Sequence, residues 1–110
     1  MLYENVFILS GQLTEKSATE KFDQFKKVIE ESGGKILKKE FWGLRDLAYK
    51  IKKNSKGYYY MINTDCKPEV LNGFHVKLKQ DENFLRFLNI KIKVLNKEDS
   101  NLVYSKKNDN

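Results

Sequence analysis

A chain of 110 residues, 40% of them hydrophobic and 13% aromatic, has room for one core and enough apolar surface to fold it. One cysteine, Cys66, excludes a disulfide framework and any multi-cysteine metal centre, and it suits a reducing compartment. No apolar run approaches the roughly 20 residues that cross a bilayer, and Met1-Leu2-Tyr3-Glu4-Asn5 has an acid where a signal peptide has a basic start, so the expectation is a soluble, cytosolic domain with net charge +6.

Tyr3–Leu9 is β-rich and bounded by Ser10-Gly11, which predicts a first strand. Thr14 is placed to cap a helix whose apolar positions Ala18, Phe22, Phe25 and Ile29 recur at spacings of three and four, and Gly33-Gly34 supplies the left-handed turn that ends it. Lys35–Phe41 and Leu44–Ile51 predict one strand interrupted at Gly43 by a bulge. Asn54-Ser55-Lys56-Gly57 reads as the turn into a third strand, Tyr58–Cys66. Pro68 opens a second helix that buries Val70 or Leu71, Phe74 and Leu78, and Asp81-Glu82-Asn83 forms a loop. Phe87–Val94 sets Leu88, Ile90 and Ile92 against Asn89, Lys91 and Lys93, a period-two pattern with the apolar set expected toward the core. The folded domain is expected over 1–96. A polar tail, expected to be disordered, follows over 97–110, with Val103-Tyr104 as its one candidate for docking.

Strand, helix, strand, strand, helix, strand is the order of an α+β ferredoxin-like two-layer sandwich. Two helices cover one face of a four-stranded antiparallel sheet, with strands one and three central and two and four at opposite edges. Such a sheet leaves one face without helices. The central strands are apolar on both parities: Tyr3, Phe7 and Leu9 alternate with Val6 and Ile8, and Tyr58, Tyr60 and Ile62 with Tyr59 and Met61. Apolar surface left wet costs about 25 cal/mol per Å², so the helix-free face predicts an interaction surface.

Charge is segregated along the chain. Residues 35–57 hold eight cations and two acids, while residues 1–34 hold four cations and six acids. Clustered cations gain free energy by releasing counterions from phosphates, which points to a polyanionic partner. Catalytic chemistry finds little support. His75 lies on the second helix at a position expected to face solvent, Cys66 reads as a small buried hydrophobe, and Ser10-Gly11-Gln12 is too sparse to cradle phosphate. A small acyl-phosphate hydrolase of this fold would place an arginine in that loop, and none is there. A stand-alone RNA-recognition module would stack bases on Tyr59, but Val6 and Ile8 opposite are aliphatic.

Gly33-Gly34-Lys35-Ile36, Phe41-Trp42-Gly43-Leu44-Arg45-Asp46-Leu47-Ala48-Tyr49-Lys50-Ile51-Lys52-Lys53 and Gly57-Tyr58-Tyr59 resemble the bacterial small-subunit ribosomal protein six family. Tyr3–Leu9 and Asn83–Ile90 are similar to the same family, so the resemblance spans about residues 2–94. It implies a non-enzymatic, cofactor-free constituent of the small ribosomal subunit, cytoplasmic and ribosome-bound. Its implied partners are ribosomal protein eighteen and the central domain of small-subunit ribosomal RNA, which it meets during platform assembly. Lys50 departs from the proline of many members, and the tail lacks the acidic end that some members carry. Under this resemblance Arg45, Lys52, Lys53, Lys56, Arg86, Lys91 and Lys93 are expected to contact RNA phosphate, with Tyr3 stacking or hydrogen bonding. Val6, Ile8, Trp42, Leu44, Leu47, Tyr59 and Met61 are expected to form the protein-partner surface. Glu40, Arg45 and Asp46 are also expected to guard an edge strand against self-pairing.

Overall fold

The computed structural model describes residues 1–95, so the expected tail over 97–110 lies outside the described residues. Six elements follow in the expected order: β1 (Leu2–Ser10), α1 (Glu15–Glu31), β2 (Lys35–Ile51), β3 (Asn54–Asp65), α2 (Pro68–Leu78) and β4 (Phe84–Ile92). The strands form one antiparallel sheet in the order β2-β3-β1-β4, the ferredoxin-like arrangement.

Local chemistry sets the helix ends. Thr14 Oγ1 accepts from the Ser17 backbone N–H at 3.1 Å, satisfying one of the orphan donors of the first turn of α1. At the other end Gly33 turns the chain at φ +88°, and the Gly34 N–H donates to Ile29 O at 3.0 Å. Pro68 occupies the first turn of α2, where its missing N–H costs nothing. The buried faces are Ala18, Phe22, Phe25 and Ile29 on α1, and Leu71, Phe74 and Leu78 on α2. Both meet the sheet around Phe7, whose ring lies 4.5 Å from Phe25 and from Phe87, and 5.5 Å from Phe22. Edge and offset ring pairs of this kind add about 0.5–1.5 kcal/mol each beyond the area they bury.

Two expectations are corrected. The hairpin turn lies at Lys52-Lys53, with Ile51 paired to Asn54, and not at Asn54–Gly57. Both lysines take positive φ, 47° and 68°. The Asn54 side chain makes this possible: its Nδ2 donates to Ile51 O at 3.2 Å and to Lys52 O at 3.0 Å, and its Oδ1 accepts from Ser10 Oγ at 2.6 Å. The second correction concerns β4. Leu88 and Ile90 point away from the helices and are 53% and 56% exposed. Phe87 and Asn89 take the helix side, opposite Phe7 and Asn5 of β1. Asn89 is held there because its Nδ2 donates to Asn5 Oδ1 and its Oδ1 pairs with His75 Nε2. Asn5 in turn donates to Ile62 O and Thr64 Oγ1, so a polar chain joins the Phe7–Phe87 packing in fixing this register.

The hairpin is asymmetric. β2 has 17 residues and β3 has 12, and the excess enters β2 as one, one and three residues at shifts after Ile36, Phe41 and Asp46. Bulges bend and overtwist the strand that carries them. The end of the hairpin therefore curls across the sheet toward the opposite edge, three strand spacings or about 14 Å away in a flat sheet. Arg86 of β4 donates to Tyr49 Oη at 2.9 Å, and Lys52 Nζ donates to Phe84 O at 3.3 Å.

Candidate nucleic-acid interface

Strand register assigns the helix-free face. Glu4, Val6 and Ile8 of β1 lie between Asn63, Met61 and Tyr59 of β3 and Ile90, Leu88 and Arg86 of β4. β2 adds Lys38 and Glu40 beside Asn63 and Met61, and Gly43 and Arg45 beside Tyr59 and Gly57. Of the expected partner residues, Leu44 is exposed, Val6, Trp42, Leu47 and Tyr59 are half-buried, and Ile8 and Met61 are buried at 7% and 2% exposure. Ile8 and Leu47 both press on the space above Gly57, where a Cβ would lie 2.6 Å from Ile8 Cγ2 and 3.4 Å from Leu47 Cδ2. The largest exposed aliphatics of this face, Leu88 and Ile90, were not anticipated, because their alternation with lysine reads as core against solvent. The signal that could have found them is Phe84 and Phe87, whose rings fill the core from the same strand.

Glu40 is no exposed edge guard. Its side chain is 2% exposed, with Oε2 3.2 Å from Lys38 Nζ and Oε1 accepting from Trp42 Nε1 at 2.8 Å. The paired charge and indole N–H fix the Trp42 ring at the bulge, and Arg45 Nε donates to Trp42 O at 2.9 Å. An open depression of about 540 Å³ results, lined by Trp42, Leu44, Arg45, Asp46, Lys56 and Tyr59. Here residues expected for RNA and residues expected for a protein partner share one wall. A larger hollow of about 680 Å³ between α1 and β2 is lined by none of the residues expected to contact RNA or a protein partner.

The expected RNA contacts divide into two groups. Lys52, Lys53 and Lys56 cluster at the hairpin end, where Arg86 also lies, opposite Ile8. Tyr3, Lys91 and Lys93 lie at the other end. Tyr3 pairs with Lys91 on the helix side, and its hydroxyl donates to Met1 Sδ at 3.4 Å. Arg86 and Lys91 are five residues apart on one strand, roughly 17 Å. At the Tyr3 end the terminal amine bonds the Asp65 carboxylate at 2.8 Å and holds it below the usual carboxylate range. At the hairpin end, Asp46 is 4.0 Å from Lys56 in an exposed pair that offsets little charge. His75 is half-buried, its ring 4.5 Å from Phe87, and holds Asn89 rather than facing solvent. Cys66 is buried, as expected. No group of three metal-ligating side chains occurs among the described residues.

Comparison with known proteins agrees with this architecture. The family described as Ribosomal protein S6 matches residues 2–91. The small ribosomal subunit protein bS6 of Rickettsia canadensis is 40% identical over 108 residues, covering 98% of this chain and 89% of its own. That of Methylobacterium nodulans is 37% identical over 108 residues, covering 98% and 81%. The crystal structure of 30S ribosomal protein S6 from Thermotoga maritima superposes with a TM-score of 0.74 at 31% identity, covering 81% of this chain and 84% of that one. The chain belongs to the ribosomal protein S6 family.

Proposed function

We propose that this chain binds small-subunit ribosomal RNA together with ribosomal protein eighteen during assembly of the platform. At the coarser level, membership of the family makes it a non-enzymatic structural constituent of the small ribosomal subunit, ribosome-bound in the cytoplasm. One observation carries the finer reading: an aliphatic helix-free face, with Leu88 and Ile90 more than half exposed, continues into a cation-rich hairpin end. Aliphatic surface is poor at reading bases and good at docking protein, while lysines grip phosphate without regard to sequence. The protein partner covers Val6, Tyr59, Leu88 and Ile90 and fills the depression beside Trp42. Asn63 Oδ1 is buried on the same face without a hydrogen-bond donor among the described residues. RNA meets the hairpin cations and, at the far end, Lys91, Lys93 and Tyr3.

The test is cosedimentation with small subunits in a lysate gradient, followed by reconstitution with protein eighteen and a central-domain RNA fragment. Leu88→Glu, placed on an exposed position, leaves the fold intact and abolishes pairing with protein eighteen. Lys52→Ala with Lys53→Ala weakens RNA binding and flattens its salt dependence. A Leu88→Glu variant that pairs normally, or RNA binding indifferent to salt, would overturn the reading.

A further inference from the structure

Where the hairpin curls back, Lys52, the last turn of α2 and the start of β4 enclose a hollow of about 250 Å³. Lys52, His75, Lys79 and Arg86 line it, with Leu78 and Phe84 among its apolar walls, and among the described residues no carboxylate does. The three cations come from a turn, a helix end and a strand, so only the tertiary fold makes them neighbours. Two already hold hydrogen bonds. Lys52 Nζ is bonded to Phe84 O and Arg86 Nη2 to Tyr49 Oη. The nearby acid is committed elsewhere, since Asp81 Oδ2 lies 2.7 Å from Lys21 Nζ and its Oδ1 accepts from Asn83 N at 2.9 Å. The α2 carbonyls that would repel an anion are engaged: His75 O, Lys77 O and Leu78 O accept from the N–H groups of Lys79, Gln80 and Asp81. Three like charges around one small hollow repel each other and add nothing to folding, which is the signature of a site kept for an anion.

We infer that this hollow seats one backbone phosphate of the ribosomal RNA, shared by Lys52, Lys79 and Arg86, with the adjoining ribose against Leu78 and Phe84. The assignment rests on the RNA-binding reading above and adds Lys79 as a direct contact. His75, with its Nε2 spent on Asn89, is a positioning residue that holds the end of α2 against β4.

The test is a salt titration of the full chain, paired with protein eighteen, on a central-domain RNA fragment. Each phosphate contact removed lowers the slope of log affinity against log salt by about 1. Lys52→Ala, Lys79→Ala and Arg86→Ala together empty the one phosphate site and are expected to lower it by about 1, and Lys79→Ala alone by a fraction of that. Lys79→Arg and Arg86→Lys, which keep the charge, restore it, and Lys27→Ala on the far side of α1 leaves it unchanged. If the wild type binds with a steep slope and the triple variant does likewise, the hollow is not a phosphate site although the RNA reading stands. If the wild type binds no RNA, both fall together. Loss of pairing with protein eighteen in the absence of RNA would show the hollow to be a protein contact and overturn the assignment.

Discussion

Lys52 and Lys53 hold a turn that favours asparagine and glycine. Both sit at positive φ, where a side chain crowds the following carbonyl at about 1–2 kcal/mol per residue. Replacing the pair by Asn-Gly recovers most of that strain. The gain is reduced by the larger unfolded-state entropy of glycine, about 0.4–1 kcal/mol, and by the lost Lys52–Phe84 bond at the surface. The net expectation is about 1 kcal/mol of added stability, or roughly 4–8 °C in Tm for a domain of this size. Register is preserved because Asn54 still ties the turn through Ile51 O and Lys52 O. Thermal unfolding and urea titration at constant m-value measure the gain, and a salt titration of RNA binding measures the loss of two cations, a slope shallower by about 1–2. More stability with less affinity is the expected pair of results. An unchanged or lowered Tm in a correctly folded variant would refute the claim that the turn is strained, and an unchanged slope would refute the claim that the strain is retained for cations.

Further predictions concern the supports of this site. Asn54→Ala removes three hydrogen bonds at a residue 5% exposed and strands Ser10 Oγ; it should cost about 2–3 kcal/mol, read as a lower urea midpoint. Gly57→Ala drives a Cβ to 2.6 Å from Ile8 Cγ2 and should cost about 1–3 kcal/mol. Gly73→Ala meets nothing within 4 Å on a helix and should instead gain about 0.5–1 kcal/mol; equal effects from the two glycines would contradict the packing described. For Asp81, burial raises the carboxyl pKa but is outweighed by bonds from Lys21 and the Asn83 N–H and by the nearby Lys52, so the group lies below its ordinary value. A depressed carboxyl stabilises the fold above its unfolded pKa of about 3.9 and loses that contribution as pH falls through the folded value. Asp81→Asn should therefore be less stable than wild type at pH 6, by no more than about 1 kcal/mol for a partly exposed pair, and equal to it near pH 2. A gap independent of pH would refute the assignment.

Legibility followed physical range. Helix faces, caps and the Gly43 bulge depend on residues a few positions apart, and they appear where spacing and side-chain chemistry place them. The turn escaped sequence reading because Asn-Ser-Lys-Gly carries stronger turn chemistry than Lys-Lys. A side chain outside the turn, Asn54, reverses that ranking. The parity of β4 escaped because alternation shows that two faces differ and says nothing of which faces the helices. Asn89 looks like a solvent residue until Asn5 and His75 are seen to satisfy it. Glu40 looks like an edge guard until Lys38 and Trp42 close over it.

The sequence by itself determined the element order, the sandwich, the family and the presence of a lysine-rich hairpin, because these rest on local pattern and on total charge. Only the tertiary structure decided where that charge converges. Three bulges lengthen β2 relative to β3, the hairpin curls across the sheet, and Lys52 arrives beside Lys79 and Arg86, which no spacing along the chain encodes. The physical reason is that strand twist accumulates over the whole ladder, so a single inserted residue moves side chains far from itself.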